Sequence, residues 1–234
     1  MVVPYNSLVP IKDEISDQIA AQMLINTITP SVLIKAGHNS LKPPITLPVY
    51  ILQNAAASGV GRLLTQLALD RGARPIRLVR SNQSAEWLRA VLPGPPVFAT
   101  NDSRWKEQVR EALGGYKLHV ALDAVGGKAI DGLAELLDED GTIINFGSLE
   151  SNTGTNIYSL ATKNLALKSV SILTWFRLPM DEKRKDHELA LELATKHPGL
   201  FEVAHEYELG AFRGAIQHVA RPGKTGIVLL TSPA

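Results

Sequence analysis

Apolar positions change their spacing once along this chain. Over residues 14 to 36, Ile15, Ile19, Ala20, Met23 and Leu24 recur at helical intervals, and Pro30 is expected to split the run into two pieces because it supplies no N–H and crowds the preceding turn. From Leu47 onward, short apolar runs alternate with longer amphipathic stretches. These are VYILQ, VGRLLTQLALDRG, PIRLVR, SAEWLRAVL, PVFAT, WKEQVREALGG and LHVALDAVGG, then a helix over about 128 to 138, GTIINFGS, a short helix near 157 to 163, and LKSVSILTW. Strands alternating with segments of crossover length predict six parallel strands. Near-continuous runs such as Val49 to Leu52 and Val120 to Val125 suit strands covered on both faces, so the predicted fold is α/β with a doubly wound, mostly parallel sheet. The polar run from His38 to Pro44 reads as a linker. It divides an introductory segment, 1–44, from a main domain, 45–234, whose last part (a charged helix from about 181 to 196, VAHEYEL, AFRGAIQHVA and TGIVLL) completes or flanks the sheet.

Composition narrows the partners. At 234 residues and 45% hydrophobic, the chain is long enough for one large core. Lys+Arg of 24 against Asp+Glu of 23 leaves a charge of +1, so no global field draws it to nucleic acid or anionic lipid. With no cysteine there is no disulfide, no thiolate metal site and no cysteine nucleophile. No leader pattern is expected in Met1 to Ser7, nor any stretch approaching the roughly 20 apolar residues of a membrane span. A soluble protein of a reducing compartment, bacterial cytoplasm or mitochondrial matrix, is the expectation. The six histidines are scattered without metal-ligand spacing, so no metal site is expected. RPGKTG resembles a P-loop in composition only, since His218 stands where its first glycine belongs.

Candidate chemistry gathers at strand ends. QNAAASGVGRLL, Gln53 to Leu64, joins a strand to a helix through Ser58, Gly59, Val60 and Gly61, where glycines let a phosphate approach the backbone and the helix offers free N–H groups and a positive dipole end. The frame is imperfect, with Ala56 and Ser58 in place of the first two glycines, and a tight corner without a ligand is the competing reading. About 20 residues further on, where a dinucleotide fold meets the adenosine ribose, stand Arg80 and Ser81. A guanidinium there suits a 2′-phosphate, so NADPH is favoured over NADH. DAVGG, Asp123 to Gly127, and NFGSL, Asn145 to Leu149, place small residues, Gly147 and Ser148 among them, where a nicotinamide half would fit.

On these segments the chain resembles the medium-chain dehydrogenase/reductase superfamily, in its zinc-free quinone oxidoreductase and 2-enoyl thioester reductase branch. VVPYNSLVPIKDEISDQIAAQMLIN looks like the passage from the catalytic lobe into the Rossmann cofactor domain. QNAAASGVG, ALDAVGG, INFGSL and GKTGIVLL are similar to later family segments. The resemblance implies that Ser58, Gly59, Val60 and Arg80 contact the diphosphate and 2′-phosphate, that Gly147 and Ser148 lie near the nicotinamide, and that Trp175, Phe176 and Lys224 flank the cofactor. It also implies no catalytic zinc, because zinc-dependent relatives carry a cysteine at about the position of Ile25. Two departures stand out. The family's Asn-Pro-x-Thr-Ala-Tyr reads here Asn26-Thr27-Ile28-Thr29-Pro30-Ser31, and a full member carries an N-terminal catalytic lobe in front of this point. The implied function is the NADPH-binding portion of an oxidoreductase that reduces an activated C=C, not turning over alone and pairing as a homodimer. A non-catalytic nucleotide-binding or dimerisation module is the alternative, and a methyltransferase on a similar sheet is disfavoured by Arg80.

Overall fold

A computed structural model describes residues 8–43, 45, 47–150, 154–221 and 223–232. The expectations for Met1 to Ser7, Tyr5, Pro44 and Pro222 lie outside the described residues. The main body alternates β1 (Tyr50–Gln53), α2 (Gly59–Asp70), β2 (Arg74–Val79), α3 (Asn82–Val91), β3 (Val97–Ala99), α4 (Trp105–Leu113), β4 (Val120–Asp123), α5 (Lys128–Leu136), β5 (Thr142–Asn145), α6 (Ile157–Ala161) and β6 (Ala166–Ser169). All six strands are parallel, in the order β3-β2-β1-β4-β5-β6. The order reverses between β1 and β4, and crossovers diverging from such a point leave a crevice at the carboxyl edge.

Period-two alternation inside fully buried strands packs both faces. Tyr50 and Leu52 of β1, Ala121 of β4 and Ile143 of β5 face α4, α5 and α6, joining Val109, Leu113, Ile130, Leu133 and Leu160. Ile51, Val120, Leu122 and Ile144 face the other way, onto Leu64 and Leu67 of α2 and onto Leu33 and Ile34 of α1 (Asp17–His38). Serine caps fix where helices begin: Ser58 accepts from Gly61 N, and Ser81 accepts from Ser84 N.

Three expectations change, and of the two alternatives for the last segments, completing or flanking the sheet, flanking holds. Pro30 lies inside one continuous helix rather than breaking it, because α1 is packed along α2 and α7 (Met180–Lys196) and that burial outweighs one lost backbone bond. By length and composition α1, with 22 residues, could cross a membrane; half of its apolar stretch is buried in the fold, which accounts for its apolarity. LKSVSILTW is only half strand: after β6, Ser171 accepts from Leu173 N and opens a 3-10 turn, Ile172–Arg177. The last segments do not extend the main sheet. β7 (Val203–Glu208) and β8 (Ile227–Thr231) form a separate two-stranded parallel sheet, with α8 (Phe212–Val219) between them in sequence.

Candidate functional site

A cleft of about 870 Å³ opens at the carboxyl ends of β1, β2 and β4. Its centre is the corner between β1 and α2. Gln53 Nε2 donates to Gly61 O and Thr65 Oγ1, at 3.0 and 2.5 Å, and locks the strand to the helix. Ala56 N donates to Leu78 O of β2 and Asn54 N to Leu122 O of β4, so the turn is held on both sides. Gly61 cannot carry a side chain: a Cβ there would lie 2.5 Å from Ala55 O and 2.7 Å from Ala56 Cα. Its function is therefore close packing of the turn on the helix. At Gly59 a Cβ would meet Asn26 Nδ2 at 3.0 Å. Ser58 Oγ takes Gly61 N at 3.0 Å, while the amides of Gly59 and Val60 have no acceptor among the described residues. Two free amides at a positive dipole end make a seat for an anion.

Positive side chains surround that seat. Arg62, one turn into α2, is fully buried yet borders the cleft, and Lys224 borders it from the loop before β8. Burial first, and the neighbouring Arg62 charge second, push the Lys224 ammonium below its usual range; its Nζ donates to Gly226 O at 2.6 Å. Arg80, just after β2, is exposed at the cleft rim, its side chain in no ion pair or hydrogen bond among the described residues, and Ser84 borders the same cleft. Ser81 is spent on the cap and on Ser84 Oγ, 3.0 Å away.

Beneath the cleft, Asp123 at the end of β4 is wholly buried and carries the floor. Its carboxylate accepts from Asn54 Nδ2 at 2.5 Å, Asn145 Nδ2 at 2.7 Å and the amides of Val125 and Gly126. One side chain thus ties together the ends of β1, β4 and β5. Gly147 lies against this turn, where a Cβ would come 2.7 Å from Ala124 O, and Ser148 lies within 4 Å of the Cβ position of Gly126.

Ser58, Gly59, Arg80 and Lys224 of the expected residues border one cleft. Val60 faces a separate apolar pocket of about 190 Å³, shared with Ile25, Thr29, Phe146, Val170 and Ile172. Trp175 borders neither cavity. It is buried, its Nε1 donates to Asp186 Oδ2 at 2.9 Å, and Phe176 packs edge-on to it at 5.3 Å, half exposed. Sequence reasoning included Asn54, Arg62 and Asp123 in its candidate segments but did not single them out as parts of the site. The only available signal was polar residues inside apolar runs: Asp123 after VAL, and Arg62 before LL.

Residues 59–194 match the zinc-binding dehydrogenase family. Two mitochondrial enoyl-[acyl-carrier-protein] reductases of Caenorhabditis elegans are each 28% identical, over 75% and 81% of this chain and 51% and 53% of their own length. The chain spans about half the length of these curated relatives. Among solved structures, a Bacillus thuringiensis protein provisionally assigned as an NADPH:quinone reductase is 26% identical with a TM-score of 0.85, covering 99% of this chain and 69% of that one. A mycobacterial protein solved in complex with NADPH shares the fold at 24% identity and a TM-score of 0.81, covering 98% of this chain and 69% of that one.

Proposed function

This chain belongs to the zinc-binding dehydrogenase family, in the zinc-free enoyl and quinone reductase branch of the medium-chain dehydrogenase/reductase superfamily, and from that premise we propose that it is the NADPH-binding portion of an oxidoreductase reducing an activated C=C, in a 2-enoyl thioester or a quinone. The observation that carries this reading is the α2 corner, where the unbonded amides of Gly59 and Val60 open the helix and Gly59 borders the same cleft as Arg62 and Lys224. A diphosphate fits that donor set. Arg80, unpaired at the rim with Ser81 and Ser84 behind it, would take the 2′-phosphate. Gly147, Ser148 and the apolar pocket at Val60 and Phe146 would receive the nicotinamide side; Trp175 and Phe176 would support that side from behind, through the turn that follows β6. When bound, the cofactor supplies the hydride.

Reduction also needs a proton at the carbon next to the one that accepts hydride, and a donor for the developing oxyanion. None of the described residues bordering the cleft is a tyrosine or a histidine. The chain alone is therefore assigned cofactor binding without turnover, with substrate held only by the complete protein. Residues 1–44 would be the remnant of a second domain and 45–234 the cofactor domain. The mitochondrial names of the curated relatives support a soluble, reducing compartment such as the matrix. Pairing through β6, whose four residues are all exposed, would make the protein a homodimer.

Calorimetry tests the reading. NADPH should bind more tightly than NADH by about 1.5 kcal/mol, and Arg80→Asp should erase that gap. Equal affinities, or a preference that survives Arg80→Asp, would sink the assignment. Loss of reduced-nicotinamide absorbance with crotonyl thioesters or simple quinones, clearly above background, would overturn the claim that this chain alone does not turn over.

A further inference from the structure

Arg62 holds a charge that the fold does not neutralise. Its side chain has no accessible surface, and it takes part in no ion pair among the described residues. Nε and Nη2 donate to Leu200 O at 3.1 and 2.9 Å, and Nη1 donates to Ala57 O at 2.8 Å. Carbonyls solvate a guanidinium but bring no opposite charge, and of its five N–H groups these bonds use three. The ring of Trp87 lies 5.4 Å from its centre. The carboxylate that acts on it is Glu202, beyond ion-pair contact, whose own Oε2 is buried without a partner.

Such a charge is costly to keep where it is. It is also next to two more positive sources, the amino end of α2 and Lys224, and each repels the others. An anion lying between them would offset that repulsion. Arg62 further holds the phosphate corner itself, since Ala57 immediately precedes the capping Ser58.

We propose that Arg62 is a positioning residue for the diphosphate: it fixes the Ala57–Ser58 turn and lends a buried charge, beside Lys224, to a bridging dianion, which makes the site select dinucleotides over ligands without a diphosphate. The inference rests on the dinucleotide reading of the cleft. Because the charge is buried, salt screens it far less than it screens Arg80 at the rim. Glu202 works against the same anion, so its carboxylate sets how much of the Arg62 field reaches the cleft.

The test compares two titrants by calorimetry: NADPH, which carries the diphosphate, and adenosine 2′-phosphate, which lacks it and engages only the Arg80 side. In Arg62→Gln, NADPH should bind about tenfold more weakly or worse, with adenosine 2′-phosphate unchanged. Arg62→Lys, which keeps the charge, should recover part of the loss. Glu202→Gln should tighten NADPH by about threefold and leave adenosine 2′-phosphate alone, a gain that no damage to the fold would produce. Equal loss for both titrants in Arg62→Gln, or no loss, overturns the proposal. So does Glu202→Gln with unchanged or weaker NADPH binding, and that variant decides the matter together with Arg62→Lys if circular dichroism finds Arg62→Gln unfolded. Wild-type protein that does not bind NADPH overturns the dinucleotide reading and this inference together; wild-type binding with unaffected variants overturns this inference alone.

Discussion

The two sheets of this protein are held by different means. In the six-stranded sheet β1, β4 and most of β2 and β5 are buried on both faces, and the cleft is built on their ends. In the two-stranded sheet every residue of β7 and β8 is at least partly exposed, and Ala215 is the one buried residue of α8. The small sheet is attached through Leu200 and Phe201, buried in the main core just before β7, and by polar bonds. Gln22 Nε2 donates to Phe201 O at 3.0 Å, Gln18 Nε2 to Glu206 Oε1 at 3.2 Å, and Arg62 to Leu200 O just upstream of β7. A ligand site needs groups held in place, and here most of its lining lies on the part whose strands cannot move without opening the core, with Gly223, Lys224, Gly226 and Ile227 at the entry to β8 of the small sheet closing one side.

Deleting the same side chain in each sheet tests that contrast most directly. Leu122, fully buried in β4, and Leu230, 48% exposed in β8, lose the same atoms on truncation. Leu122→Ala should cost about 3 kcal/mol in urea unfolding, and Leu230→Ala less than about 1 kcal/mol. Comparable losses would mean that the small sheet has a core of its own.

Asp186 is the next largest effect, because it welds α1 to α7. Its carboxylate, 3% exposed, accepts from Ser31 Oγ at 2.6 Å, Lys35 Nζ at 2.8 Å and Trp175 Nε1 at 2.9 Å. Burial pushes its pKa up, but those hydrogen bonds and the Lys35 charge outweigh burial, so the group ends below the usual carboxylate range. A carboxylate lowered in the folded state stabilises fully above its unfolded pKa of about 3.9, and that contribution is lost as pH falls through the lower folded value. Asp186→Asn should cost about 2 kcal/mol at neutral pH and flatten the acid limb of the stability profile below about pH 4. An unchanged acid limb would assign the weld to packing alone.

The open edge of the large sheet comes third. β6 is parallel to β5 on one side and pairs with no strand on the other among the described residues, with Leu167 exposed. Leu167→Pro removes a backbone donor and a pairing surface without touching the buried strands, so it should convert a dimer seen by light scattering into a monomer with little change in thermal midpoint. A wild-type monomer at the same concentration would remove β6 as an interface.

Legibility from sequence followed the same division. The six strands were readable because β1 and β4 open as apolar runs, Tyr50 to Leu52 and Val120 to Leu122, closed by Gln53 and Asn54 and by Asp123 to Gly127. Ser58, Gly59 and Arg80, which line the cleft, could be picked out as candidates because strand ends in such a sheet have fixed positions along the chain. Trp175 could not be placed, since its partner Asp186 arrives on a different helix and nothing in the spacing links the two. Arg62 was hidden for a related reason: a buried arginine is spaced like a surface one, and only Leu200, far along the chain, shows that it faces inward. Gly61 was expected to let a phosphate approach the backbone, but its close neighbour is the backbone of Ala55 and Ala56.

The smallest expected effect lies in the small sheet, where polar groups sit near solvent. Tyr207 Oη and His218 Nδ1 are 3.2 Å apart, with the His205 ring 4.5 Å from that of Tyr207 and 6.0 Å from that of His218. Partial burial first, then the charges of Arg221, His205 and Lys224, lower the His218 pKa from its usual value. A base lowered in the folded state gives stability that is present above its unfolded pKa and lost as pH falls through the folded one. Because the ring is near water, the change in stability should be slight, and the informative quantity is the titration itself. In an NMR pH series His218 should titrate below the usual histidine value, and Lys224→Gln should move it upward by removing one of the cations. Since Lys224 also borders the cleft, an anion bound there should shift His218 in the same direction. A His218 resonance that responds to Lys224→Gln but not to NADPH would break the link between the small sheet and the site; one that moves with both would show that this lightly held region senses the charge bound on the rigid one.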